Sequence, residues 1–77
     1  MTMDLKQIGK ITREYFETTL NTKAFQIEIA SSRFDEENKT WEIEITVSPF
    51  YGQSKLYAMV IEDESGDITG IELLEDE

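Results

Sequence analysis

The sequence predicts an α+β fold: an N-terminal helix packed on one face of a four-stranded antiparallel meander, in the order α-β-β-β-β. Three observations carry this. Trp41, Ile43, Ile45 and Val47 alternate with Glu42, Glu44, Thr46 and Ser48, the period of two expected of a half-buried strand. Two more strand-like runs follow, joined by the acidic turn Asp63-Glu64-Ser65-Gly66. Upstream, residues 4–20 gather Leu5, Ile8, Ile11, Thr12, Tyr15, Phe16 and Leu20 on one half of a helical wheel. One apolar stripe and one apolar sheet face can each bury the other.

The helix is expected over residues 4–20. Asp4 is placed to cap its N-terminus, with Gln7 three residues on as the returning half of a capping box. Asn21 suits a left-handed closing residue. Gly9 weakens the middle by about 1 kcal/mol relative to alanine, and its position suggests close packing on the sheet. Lys6, Gln7, Lys10, Arg13, Glu14 and Glu17 form the polar half.

Four strands are expected at about 25–34, 40–48, 55–62 and 67–74. Phe25, Ile27 and Ile29 share a face in the first. A polar turn, Asp35-Glu36-Glu37-Asn38-Lys39, leads into the second. Pro49 and Gly52 mark the main loop, 48–54, because proline cannot donate to a ladder and glycine permits the turn. Glu75-Asp76-Glu77 reads as a frayed acidic end. Trp41, Ile43 and Ile45 are expected under Ile8, Ile11 and Tyr15.

The 77 residues allow a single domain, with neither cysteine nor histidine to staple it. The core must hold the fold, helped by any self-association. The net charge is −10. Residues 1–24 carry four basic and three acidic residues, whereas residues 25–77 carry three basic against fourteen acidic, a net of −11. Such a surface repels phosphate backbones and anionic membranes, so direct nucleic-acid binding and membrane binding are not expected. A basic protein partner or a second copy of the chain is compatible with it. The polar N-terminus has no apolar core of a signal peptide, and the expected location is cytoplasmic.

Catalytic chemistry finds little to build on. There is no thiol or imidazole, and no serine lies in a G-x-S-x-G elbow. Glu42 and Glu44, two apart on one strand, suit a solvated face rather than a tuned acid–base pair. Asp63-Glu64-Ser65-Gly66-Asp67 lacks the spacing and the distal glutamate of a calcium loop. No enzyme activity, metal or cofactor is expected.

The third strand is unusual: Leu56, Ala58 and Val60 alternate with Tyr57, Met59 and Ile61, so both faces are apolar. Placing Tyr57 and Met59 outward, among Glu28, Glu42 and Glu44, gives an apolar patch with an acidic border, the composition of a protein-binding surface. Phe50 and Tyr51 in the main loop offer a secondary contact, although Phe50 also suits folding back to close the open end of the core.

Tyr57-Ala58-Met59-Val60-Ile61-Glu62-Asp63-Glu64-Ser65-Gly66-Asp67-Ile68 resembles the closing hairpin of PepSY-type domains. There an aromatic-led strand ends in an acidic residue and passes through a Ser/Thr-Gly turn into a short strand. Trp41-Glu42-Ile43-Glu44-Ile45, a loop and then Tyr57 are also similar to the gas vesicle protein O family, with its helix, W-x-V-x-V strand and Y-x-V-x-x-D-x-x-G-x-L hairpin. The resemblance spans residues 38–72 and implies a small α+β fold. The PepSY likeness further implies an inhibitory or chaperoning module, in a family found in exported or membrane-attached proteins. The gas vesicle family ends in a basic tail, whereas this chain ends Glu75-Asp76-Glu77.

The functional expectation is a small, acidic, non-catalytic protein-interaction or accessory module. One alternative is an acidic decoy that mimics nucleic acid on a basic partner. Another is a small-ligand-binding domain with a cleft between helix and sheet.

Overall fold

The computed structural model describes residues 3–76. Helix α1 spans Leu5–Leu20 and is followed by strands β1 (Phe25–Asp35), β2 (Thr40–Pro49), β3 (Lys55–Glu62) and β4 (Ile68–Asp76). The strands form one antiparallel sheet in the order β1-β2-β3-β4, the α+β meander expected from the sequence.

The helix begins and ends where its capping chemistry directs. The Asp4 carboxylate accepts the Gln7 N–H at 2.9 Å, and the Gln7 side-chain oxygen accepts the Asp4 N–H at 3.1 Å, so two otherwise orphaned donors are satisfied. Asn21 closes the helix in the left-handed region, at φ 55°, and its N–H returns to the Glu17 carbonyl. Ile8, Thr12 and Phe16, spaced by four, form the buried stripe. Thr12 is fully buried, and its hydroxyl lies 3.0 Å from the carbonyl oxygens of both Ile8 and Gly9, which removes the cost of burying it. Gly9 does not mark a close approach, because a Cβ added there would meet nothing within 4 Å.

The core joins Ile8 and Phe16 to Phe25, Ile43, Ile45, Val47, Met59 and Ile61, with Ile11, Tyr15, Trp41 and Tyr57 packed around them. Aromatic edges continue the packing: Phe16 lies 5.1 Å from Tyr15, ring centre to ring centre, and 5.1 Å from Tyr57. Asp63 ties three elements together. Its Oδ1 accepts the backbone N–H of Met3 at 2.8 Å and the indole N–H of Trp41 at 2.9 Å, and its own N–H donates to the Lys39 carbonyl at 3.0 Å.

The helix crosses the sheet: Phe16 packs on Tyr57 of β3, and the Ile11 side chain lies beside Gly66 in the turn between β3 and β4. Among the described residues, β1 is the only strand whose Cα trace comes within 8 Å of that of the helix. Arg13 secures the helix to the start of β1. Its guanidinium donates to the carbonyls of Phe25 (3.3 Å) and Lys23 (3.2 Å), stacks 4.6 Å from the Phe25 ring centre, and pairs with Glu17 at 3.2 Å. From sequence, Arg13 belonged simply to the solvated half of the helix.

Two further expectations are corrected. β4 continues through Glu75, opposite Leu56, to Asp76, opposite Lys55, because ladder pairing with β3 holds the backbone that the sequence placed in a frayed end; Glu77 lies outside the described residues. Phe50 does not close the core: it is 63% exposed, since its N–H is drawn to the Ala24 carbonyl at 3.1 Å in a loop that turns away at Gly52.

Candidate functional site: the open face of the sheet

With the one helix on one side, the opposite side of the sheet is uncovered. Register decides what it displays. In an antiparallel ladder, directly opposed residues share a face, and β2 pairs with β3 as Ile43↔Met59, Ile45↔Tyr57 and Trp41↔Ile61. Met59 and Tyr57 therefore face the helix with the buried residues of β2. Met59 is 1% exposed and Tyr57 packs on Phe16. The expectation that Tyr57 and Met59 lie outward among the glutamates is thus overturned. The alternate set, Leu56, Ala58 and Val60, takes that place.

Three cross-strand rows build the open face. Ser31, Glu44, Ala58 and Glu72 form one; Arg33, Glu42, Val60 and Gly70 form the next; Glu28, Thr46, Leu56 and Glu75 form the third. The structure thus does bring Glu28, Glu42 and Glu44 to one face, and adds Glu72 and Glu75 from β4. The result is a half-buried apolar strip along β3 with carboxylates on both sides. Ala58 has Glu44 beside it on one strand and Glu72 on the other. Because alanine is short, a shallow depression forms here, lined by Ser31, Arg33, Glu42, Glu44, Ala58 and Val60.

The electrostatics of this face are barely compensated. Arg33 pairs with Glu42, both exposed, a contact of the kind worth about 0–1 kcal/mol. The bulge between Ile29 and Ser31 sets this pair: without the extra residue at Ala30, Arg33 would point to the helix side. Neither Glu28, Glu44, Glu72 nor Glu75 takes part in any of the salt bridges found among the described residues.

Among the described residues, the two carboxylates held below their ordinary range lie elsewhere and have structural causes. Asp63 is lowered chiefly by the backbone N–H of Met3 and then by the Trp41 indole. Asp35 is lowered by the side-chain amide and then the backbone N–H of Asn38, at 2.9 and 3.2 Å. Both anchor turns. Among the described residues, no three carboxylates converge as a metal site.

At one end of the sheet, Tyr51 is 93% exposed at the tip of the β2–β3 loop beside Phe50. The pair is separate from the carboxylate face and supplies apolar surface at the loop. Beside the helix, a surface groove is lined by Met3, Gln7, Lys10, Ile11, Glu14 and residues 63–66. None of the described helices is long and apolar enough to cross a membrane. No family model, curated protein or solved structure matches this chain.

Leu56, Ala58, Val60, Glu72 and Glu75 are among the members of this face that the sequence did not single out. The apolar character of both faces of β3 was visible, but not which alternate set turned outward.

Proposed function

We propose that this chain is a small non-catalytic protein-interaction or accessory module of the cytoplasm, docking on a basic protein partner through the open face of its sheet. The observation that supports this is the strip Leu56–Ala58–Val60, apolar and uncovered, with Glu42 and Glu44 on one flank and Glu72 and Glu75 on the other. An apolar centre supplies affinity, and a charged rim supplies orientation and partner choice. The Phe50–Tyr51 loop is a secondary contact. An accessory role is also in keeping with the resemblance of the closing hairpin to PepSY-type domains.

The test is capture of partners from source-cell extract by the tagged chain, at low and high salt, beside two variants, Ala58→Arg and Glu44→Lys with Glu72→Lys. A basic partner retained at high salt by the wild type and lost by Ala58→Arg, with melting unchanged, supports the reading. Undiminished capture by both variants overturns it. A partner lost with salt alone, and with the glutamate reversals but not with Ala58→Arg, favours the acidic decoy instead.

A further inference from the structure

A second uncovered surface lies on the helix side of β4. Ile71 and Leu73 face that side, opposite Met59 and Tyr57, yet they are 40% and 47% exposed, and neighbouring Leu74 is 41% exposed. β4 is also an edge strand, so its outer row of backbone N–H and C=O groups has no neighbour in the sheet. From Gly70 to Leu73 the ladder is regular, between two irregularities. An unpaired edge with apolar side chains is a template for another strand.

The charge around it selects the occupant. Residues 56–77 contain eight carboxylates and neither lysine nor arginine. Glu72 and Glu75 lie on the opposite face of β4 from Ile71 and Leu73. Pairing two copies through β4 would set these acidic edges against each other, and like charges across a strand pair are destabilising. An added strand with apolar residues on one face and basic residues on the other meets both needs. We propose that the β4 edge accepts an extended segment of a partner protein, in which apolar residues alternate with lysine or arginine, as a fifth strand. Its apolar side chains pack beside Ile71 and Leu73, and its cations lie beside Glu72 and Glu75. This surface shares Glu72 and Glu75 with the rim of the open face, but it is built on the free edge and the helix side of β4 and does not require the Leu56–Ala58–Val60 strip.

The experiment titrates a peptide of alternating lysine and valine into the isotope-labelled full chain, with amide shifts and amide exchange as the readouts. Shifts and slowed exchange centred on Gly70–Leu73 are expected. Ile71→Lys with Leu73→Lys should weaken binding about tenfold or more while leaving the β1–β2 signals unmoved. The same peptide N-methylated at alternate amides should not bind, since it cannot complete a ladder. Equal binding of the methylated peptide overturns the proposal, because charge alone then explains it. Shifts confined to Leu56, Ala58 and Val60 also overturn it, and direct the peptide to the open face. A chain that dimerises without peptide, and is made monomeric by the lysine variant, makes a second copy the occupant and overturns it too.

Discussion

The indole N–H of Trp41 donates to Oδ1 of Asp63 across 2.9 Å, joining the start of β2 to the residue that follows β3. The Met3 N–H shares the same oxygen, so one carboxylate fastens the chain before the helix to the sheet. These donors favour the ionised form and hold the Asp63 carboxyl below its ordinary value of 3.8. A depressed folded-state value stabilises the native state above that ordinary value and is lost as pH falls through the folded one. Replacing Asp63 with Asn removes the titration while keeping the shape. The wild type should melt higher than Asp63→Asn at about pH 6, and the gap should close towards about pH 2. Thermal unfolding of both proteins over that range checks it. Comparing the two isolates Asp63 from the other carboxylates, whose protonation relieves the self-repulsion of a chain with net charge −10.

The two faces of β3 should respond very differently to substitution. Met59→Ala empties a site that is 1% exposed and should cost about 2–5 kcal/mol. Ile43→Ala, on its ladder partner, should cost a similar amount, much of the stability of a domain this small. Val60→Thr on the open face should stay within about 1 kcal/mol. Urea unfolding of the three variants measures this, and a costlier Val60→Thr than Met59→Ala would reverse the assignment of faces.

Backbone conformation provides a pair of opposite effects. Lys39 has φ 56°, a left-handed conformation that penalises a side chain but not glycine. Lys39→Gly should therefore raise stability by about 0.5–1 kcal/mol. Gly66 has φ 76°, and a Cβ there would lie 3.3 Å from Cδ1 of Ile11. Gly66→Ala meets both strain and crowding and should cost about 1–2 kcal/mol. Differential scanning calorimetry of both variants reads the sign directly.

Capping should be measurable as well. Asp4→Ala removes the acceptor for the Gln7 N–H and should cost about 1 kcal/mol, whereas Asp4→Asn should retain most of it. Urea unfolding of the two variants distinguishes a lost hydrogen bond from a lost charge.

Much of this protein was written in local pattern. The Asp4–Gln7 box, the left-handed Asn21, the inward side of β2 and the polar turn before it follow from residue chemistry within a few positions. A strand whose one face is apolar can be turned only one way, and so Trp41, Ile43, Ile45 and Val47 assigned themselves. β3 had no such constraint. With Leu56, Ala58 and Val60 as apolar as Tyr57, Met59 and Ile61, a shift by one residue exchanges the faces at little cost in pattern. Only the ladder with β2, setting Met59 opposite Ile43, put the methionine in the core and the alanine among the glutamates. The same holds for Arg13, whose role depends on two carbonyls brought near by the turn into β1, and for Ile71 and Leu73. Their alternation is that of a strand with one buried face, but burial needs something on top, and on the edge strand β4 they stay 40% and 47% exposed.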